Sequence, residues 1–218
     1  MPAPSNRLST TPRGIIEALL LFSLATVACN PKPPDEGSYV ERIEVARGEK
    51  DTFLRNDAAV VPSNRRDQLL PLLYYPIDPS FQVPAVLHPS NDDATIMMPT
   101  SAGTQDPYRR VGTLEFTING EVHKLTAFAP AAARTVDRLF VPFRDRTSGS
   151  ETYPGGRYLD IDRMPSGVYQ IDFNRAYNPN CYFSPTWICP LPPRENSLPF
   201  AVEAGERVRP EDGKTSSS

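Results

Sequence analysis

The fold is decided by residues 114–128, which read Leu-Glu-Phe-Thr-Ile-Asn-Gly-Glu-Val-His-Lys-Leu-Thr-Ala-Phe. Its centre, Asn119-Gly120, is the strongest short-range signal for a two-residue β-hairpin turn, because both turn positions must adopt a positive φ. Apolar residues alternate with polar ones on either side of the turn. The sequence therefore predicts two antiparallel strands, over 114–118 and 121–128.

Short apolar runs separated by turn residues recur along the chain. Proline is about twice as frequent as average, at 25 of 218 residues, which excludes a helical bundle because proline breaks helix interiors. There is no internal repeat and no alternation of strands with helices, so a parallel sheet is not expected. We predict a mainly β fold, an antiparallel sandwich or partly open barrel of about eight short strands, with further strands at 72–75, 81–87, 95–98, 139–143, 158–162, 168–173 and 198–203.

Two of these strand predictions carry more detail. Pro84 lies within 81–87 and cannot donate a ladder hydrogen bond, so that run is predicted to be an edge strand or to contain a bulge. The runs 158–162 and 168–173 flank turn residues at 163–167, and this spacing predicts a second hairpin.

One N-terminal amphipathic helix is predicted over 39–55. Ser38 and Glu41 have the spacing of a capping box, with Ser38 as the N-cap, and apolar residues follow at helical intervals. A second, short helical turn is predicted over 64–70, ending before Pro71. We expect the long helix to pack on one face or one end of the sheet.

The first 29 residues have the composition of a targeting segment. Arg7 and Arg13 precede an uncharged, mostly apolar run over 18–27, which is too short to span a bilayer. The run ends in Thr-Val-Ala-Cys at 26–29, which resembles the lipobox of bacterial lipoproteins, where the cysteine is diacylated and becomes the mature N-terminus. We expect a cell-envelope lipoprotein anchored to the membrane through Cys29 and facing the periplasm or the exterior. A plain secretory signal or a single N-terminal anchor is the alternative.

The chain divides by composition into four parts. Residues 1–28 are predicted to be a signal peptide and 29–37 a proline-rich tether. Residues 38–206 are predicted to form a single globular β-rich domain. Residues 207–218 are polar and end in three serines, so we predict a disordered tail.

Charge and motif content exclude several function classes. The net charge of −3 gives no basic field for a nucleic-acid partner. The sequence contains no glycine-rich dinucleotide or P-loop motif, no GxSxG, no HExxH and no EF-hand, so no cofactor and no catalytic residue are predicted. His123 is expected opposite Phe116, on the apolar face of the first hairpin, which indicates a core histidine rather than a base or a metal ligand.

Cys181 and Cys189 are the two cysteines left after Cys29. In an exported protein disulfides persist, so we predict that these two cysteines are joined. Zinc is the competing interpretation, but it needs ligands from elsewhere and the spacing is not that of a known zinc knuckle. No metal site is predicted.

The segment 140–206 carries a series of unusual motifs. They are FRD-TSG-ETY from Phe143 onward, GGRYLD from Gly155, DFNRAYNP from Asp172, the CPLPP-EN set from Cys189, and AGE at 204–206. This series resembles the bacterial family catalogued as domain of unknown function 1684, and a looser match extends the resemblance to about residues 40–206. The resemblance implies no catalytic residues, because the family's function is not known.

Polar side chains are dense in 144–178, and this window contains arginines but no lysine. Arginine is suited to forked contacts with carboxylate, phosphate or sugar groups, and tyrosines supply flat walls. We therefore predict a polar pocket for a small anionic or polyhydroxylated ligand, in a binding or accessory module. The candidate ligand-binding residues are Arg144, Asp145, Glu151, Tyr153, Arg157, Asp172, Asn174, Arg175, Tyr177 and Asn178.

Two alternatives remain open at this point. A hydrolase could use paired carboxylates, among Asp145, Glu151 and Asp172, if their pKa values are split. A structural envelope protein without a small-molecule ligand could use the same polar groups to order its loops, because buried Arg–Asp pairs and Asx turns look alike in a single sequence.

Overall fold

The computed structural model describes residues 36–91 and 95–210. The predicted hairpin is confirmed: β3 (Gln105–Ile118) and β4 (Glu121–Pro130) are antiparallel neighbours. Asn119 and Gly120 both have positive φ, 54° and 79°, as a two-residue turn of this kind requires. The strands are longer than predicted because β3 also pairs with β2 (Thr95–Pro99) near its start.

The other strands are β1 (Gln82–Pro89), β5 (Arg138–Phe143), β6 (Arg157–Asp162) and β7 (Val168–Asp172). The sheet thus has seven strands in the described part of the chain, in the order β6-β5-β4-β3-β1-β7 with β2 on β3. All pairings are antiparallel. The two end strands face each other across a cleft lined by residues of both, so the sheet is a nearly closed barrel, and the mainly β prediction is confirmed.

The second predicted hairpin is wrong. β6 pairs along its whole length with β5, and β7 pairs with β1, so the turn at 163–167 crosses the opening of the barrel instead of joining two paired strands. The prediction for Pro84 is wrong as well, because β1 lies between β3 and β7. Pro84 is tolerated there because pairing with β3 begins only at Ala85.

Two further segments predicted as strands are extended but make only single bridges. In the segment 72–75, Tyr74 bridges Glu206, and just before the segment 198–203, Ser197 bridges Arg144. Within 198–203, Leu198 and Phe200 make backbone hydrogen bonds with Arg144 and Arg146, but the Val202 amide donates to the Asp145 carboxylate at 2.8 Å. A residue whose amide is bonded in this way cannot join a ladder.

The barrel interior is filled by alternating residues of the strands, among them Leu114, Leu125, Leu139 and Val141, which are fully buried. His123 pairs with Phe116 across the hairpin as predicted, and its ring packs on those of Phe116 and Phe200. Its side chain is 9% exposed. The histidine is therefore part of the packing on the inner face of the hairpin.

The long helix α1 (Glu36–Asn56) is confirmed, although it begins two residues before the predicted N-cap. The Ser38 hydroxyl is within the helix and accepts from the Arg42 side chain at 2.9 Å. A second helical turn, α2 (Arg66–Leu69), follows a 3₁₀ turn at Ser63–Arg65, in agreement with the prediction. None of the helices in the described ranges is both long and apolar enough to cross a membrane.

A smaller core joins the helices to the C-terminal part of the chain. Leu54 of α1 and Leu69 of α2 pack with Phe183, which lies in the short helix α3 (Asn180–Phe183). Val208 is buried in the same cluster, and Arg207 and Arg209 bond to Glu151 and to the Pro71 carbonyl, so residues 207–209 pack on the domain although a disordered tail is predicted from 207. Cys181 and Cys189 are joined by a disulfide, as predicted.

Candidate functional site

Two of the predicted ligand-binding residues form a buried ion pair. The Arg157 guanidinium on β6 and the Asp145 carboxylate are 2.9 Å apart, with side chains 1% and 0% exposed. Arg157 also donates to the carbonyl groups of Val202, Ala204 and Glu206. Every one of these partners belongs to the protein itself, and together they tie the segment 202–206 to β6.

A second set of predicted residues gathers at the end of β7. The Asp172 carboxylate accepts from the Tyr39 hydroxyl at 2.9 Å and from Arg175 Nε at 3.2 Å. The Asn174 side-chain amide donates to Tyr39 and to the Asp78 carbonyl. These bonds hold the first turns of α1 against the barrel. Arg175 differs from its neighbours because its side chain is 53% exposed.

The remaining predicted residues are dispersed. Glu151 is paired with Arg207 at 3.1 Å, and the Tyr153 ring packs edge-on against Tyr182. Arg144 makes backbone bonds to 196 and 198. Tyr177 and Asn178 lie side by side near Glu206, where the backbone N–H of Asn178 donates to Glu206 Oε2 at 2.8 Å. The structure thus separates the ten candidate residues into several groups rather than one pocket.

A pocket of about 180 Å³ lies between α1 and the end of the barrel. We call it the α1 pocket. Two of the predicted residues, Arg175 and Tyr177, line it, and the other eight do not. Its walls combine a helix face, at Ile43, Ala46, Arg47 and Lys50, with barrel-side residues, at Tyr74, Arg175, Ala176, Tyr177 and Glu206.

Arg47 is the most distinctive residue of the α1 pocket. Its Nη1 donates to the Tyr75 carbonyl at 3.1 Å, and its guanidinium carbon lies 4.3 Å from the centre of the Tyr74 ring. Its Nε and Nη2 are buried and have no hydrogen-bond partner in the described part of the chain. Burial lowers the pKa of Arg47, and the nearby acidic groups, Glu206 and Asp172 among them, only partly oppose that shift. Buried N–H groups without a hydrogen-bond partner are costly.

The Tyr74 hydroxyl is likewise buried and without a partner among the described residues. Burial, followed by the charges of Glu206 and Asp51, raises the pKa of Tyr74. The phenol therefore stays protonated over the ordinary pH range and is available as a hydrogen-bond donor.

An ion pair joins the two walls of the α1 pocket, from Lys50 on the helix to Glu206 on the barrel side. Both oxygens of Glu206 accept a hydrogen bond, one from the Lys50 ammonium and the other from the backbone N–H of Asn178. Lys50 also lies 4.8 Å from the centre of the Tyr177 ring. The α1 pocket thus has three cationic side chains, Arg47, Lys50 and Arg175, and a single lining carboxylate that already has its partners.

Sequence reasoning missed Arg47, Lys50, Tyr74 and Glu206. Ile43, Ala46, Arg47 and Lys50 follow helical spacing, which is a signal for one shared face but not for a pocket. Lys50 and Glu206 are 156 residues apart, and only the fold brings them together. No group of histidine, cysteine, aspartate and glutamate side chains suited to a metal ion occurs within the described ranges.

The fold and the pocket define a small antiparallel barrel protein with a cationic cleft beneath an N-terminal helix. The chain belongs to the family described as "Protein of unknown function (DUF1684)", whose model matches residues 68–207. The resemblance found in the sequence is thereby confirmed. The matched range leaves out α1, so Arg47 and Lys50 come from outside it.

A solved relative has the same fold. It is the uncharacterized protein from gene locus rrnAC0354 of Haloarcula marismortui, determined by solution NMR. The two chains are 37% identical, with a TM-score of 0.64, over 80% of this chain and 96% of that one. The comparison with curated proteins finds no match.

Proposed function

We propose that this protein is a binding module for a small organic anion, which it holds in the α1 pocket. The observation that carries the proposal is the buried, unpartnered Nε–Nη2 edge of Arg47. Two N–H groups on one edge of a guanidinium match the two oxygens of a carboxylate, and such a forked pair is among the stronger hydrogen-bonded contacts in proteins.

The shape of the pocket favours a monocarboxylate with a small apolar body. A cavity of about 150 Å³ accommodates a benzene molecule, so a pocket of about 180 Å³ suits a ligand of similar size. Ile43, Ala46 and Ala176 supply apolar wall, which inorganic phosphate would leave uncovered. The Tyr74 hydroxyl supplies a further donor for an anion.

The donor-rich lining also separates an anion from a polyhydroxylated ligand. Sugar hydroxyls need acceptors as well as donors, and the one lining carboxylate, Glu206, has both oxygens engaged within the protein. Of the two ligand classes expected from the sequence, the anion is therefore the one we propose.

Binding is also favoured over hydrolysis. Both oxygens of Glu206 accept hydrogen bonds within the protein, and its side chain is only 2% exposed. The three carboxylates considered for a hydrolase, those of Asp145, Glu151 and Asp172, do not line the α1 pocket. Each of them is bonded to an arginine of the protein.

We further propose that the module is displayed at the membrane surface through acylation of Cys29. The support is the sequence pattern at 18–29, which lies outside the described residues. Two or more acyl chains hold a protein stably on a membrane, whereas one chain binds only marginally.

A thermal-shift comparison tests the binding proposal. Benzoate, phosphate and the neutral benzyl alcohol are added to the wild type, to Arg47→Lys and to Arg55→Lys, a matched control on an exposed site of α1. Ligand at 100 times its Kd stabilises a protein by about 2.7 kcal/mol. We expect benzoate to raise the Tm of the wild type and of Arg55→Lys, and to have little effect on Arg47→Lys. Equal shifts from benzoate and benzyl alcohol, or an unchanged response in Arg47→Lys, would contradict the proposal.

A further inference from the structure

A second concave surface, of about 330 Å³, lies on the outer side of the barrel, and its chemistry is different from that of the α1 pocket. We call it the aromatic groove. Five aromatic side chains line it, namely Tyr108, Phe140, Tyr158, Tyr177 and Trp187. The rest of the lining is uncharged, so no lysine, arginine, aspartate or glutamate belongs to it.

The rings are set at large angles to one another. Phe140 and Tyr158 are 4.8 Å apart with an interplanar angle of 78°, and Tyr158 and Tyr177 are 5.7 Å apart at 90°. Tyr108 stacks on the far side of this set, against Phe140. Rings at right angles can direct more than one electron-rich face toward a single bound group, which is the arrangement of an aromatic cage.

One carboxylate is bonded directly to a residue of the aromatic groove. The Tyr177 hydroxyl donates to the Asp160 carboxylate at 2.9 Å. On β5 and β6, Asp160 is the register partner of Phe140, which places it on the same face of the sheet as that ring. Lys50 contacts Tyr177 as well, at 4.8 Å from the ring centre, but it lines the α1 pocket and not the aromatic groove.

We infer that the aromatic groove binds a quaternary ammonium group, such as the trimethylammonium of choline. Such a cation is bulky and apolar at its surface, so it fits an uncharged groove, and its charge is stabilised by the ring faces. The adjacent Asp160 carboxylate adds a longer-range attraction. The group can come from a free solute or from the headgroup of a membrane lipid, and both sources share this chemistry.

The chain provides its own reporter of occupancy. Trp187 is its single tryptophan, it lines the groove, and its indole is held by a hydrogen bond from Nε1 to the Ala59 carbonyl at 3.0 Å. The full chain is titrated with choline chloride while tryptophan fluorescence is followed. Sodium chloride controls for ionic strength, and 3,3-dimethylbutan-1-ol is the neutral molecule of matching shape.

We expect a saturable change with choline, at a Kd of roughly 1 mM, and none with the neutral alcohol. Asp160→Asn should weaken choline binding several-fold, and Tyr108→Leu should abolish it. Arg47→Lys and Phe53→Leu, an exposed aromatic outside the groove, should leave it unchanged, which separates this site from the α1 pocket. No saturation, or an equal response to the neutral alcohol, would overturn the inference.

Vesicles distinguish the two sources of the cation. If phosphatidylcholine vesicles compete with choline and phosphatidylglycerol vesicles do not, the aromatic groove binds a lipid headgroup. If only free choline binds, the natural ligand of the aromatic groove is a free solute. Saturable fluorescence changes with a proline-rich peptide and not with choline would assign the groove to a peptide partner and contradict the proposal.

Discussion

The Arg157 guanidinium lies 2.9 Å from the Asp145 carboxylate, and neither side chain is more than 1% exposed. Both residues come from motifs that sequence reasoning assigns to a ligand pocket. In the structure their charges are used to hold the last segment of the domain, 202–206, against the barrel. Two charges removed from water in this way stabilise a fold only while both are present.

Removing one member of this pair should be costly. Asp145→Asn leaves the Arg157 cation buried without its anion, and a loss of about 3–5 kcal/mol in the free energy of unfolding is expected. Arg157→Lys should also destabilise the fold strongly, because an ammonium cannot make all four hydrogen bonds that the guanidinium makes. Urea denaturation of each variant measures the loss. Arg138→Lys, in an exposed pair with Asp162, is the control, and losses as small as those of the control would contradict a structural role.

The disulfide should contribute less to the free energy of unfolding than the Arg157–Asp145 pair. It joins cysteines separated by 8 positions in the chain, and closing so short a loop is worth about 2–3 kcal/mol in the chain-entropy model. A Cys181→Ser, Cys189→Ser double variant should fold and lose about this amount in urea denaturation. Intact mass after alkylation, with and without reductant, should show two blocked thiols in the isolated wild type. Two free thiols there would contradict the pairing.

Alkaline pH should destabilise the domain through its buried phenols. Burial, followed by the charge of Glu151, raises the pKa of Tyr75 from 10.0 to about 12. The pKa of Tyr75 is higher in the folded protein than in the unfolded chain, so the protonated phenol contributes to the free energy of unfolding. This contribution is fully present below pH 10 and is lost between pH 10 and about pH 12. One such group accounts for a slope of up to about 1.4 kcal/mol per pH unit. Tyr75→Phe should flatten the decline in stability over that window, measured by urea midpoints, and an unchanged slope would count against it.

The anchor is tested in cells. If Cys29 is acylated, metabolic labelling with palmitate should mark the wild type and not Cys29→Ser. Cys181→Ser serves as the control for loss of a cysteine elsewhere, and it should keep the label. Equal labelling of the wild type and Cys29→Ser would contradict the lipoprotein interpretation.

Local signals predicted much of the fold. Asn119-Gly120 fixes its own turn, because few other residues adopt those φ values, and the register of the first hairpin follows from it. The turn at 163–167 also contains turn-forming residues, Pro165, Ser166 and Gly167, yet its flanking strands β6 and β7 take their partners from β5 and β1. Which strand pairs with which is decided by burial of the common core, and that information is spread over the whole chain.

The site was predictable only in part, for a related reason. Sequence motifs single out polar residues without showing whether their partners are protein groups or a ligand. Asp145 and Arg157 find each other, whereas Arg47 keeps two buried donors unpartnered. Arg47 and Tyr74 meet through the packing of α1 on the barrel end, and no spacing rule relates a helix to a loop across a tertiary contact.

The most direct test of the account is the side-chain NMR signal of Arg47. The Nε–H resonances of the arginines are followed in a ¹H–¹⁵N spectrum during titration with benzoate, and Arg47 is assigned by the signal lost in Arg47→Lys. A carboxylate bonded to the Nε–Nη2 edge should move this resonance downfield in a saturable way and leave that of Arg55 in place. An Arg47 resonance that does not respond, while the protein stays folded, would contradict the anion-binding function.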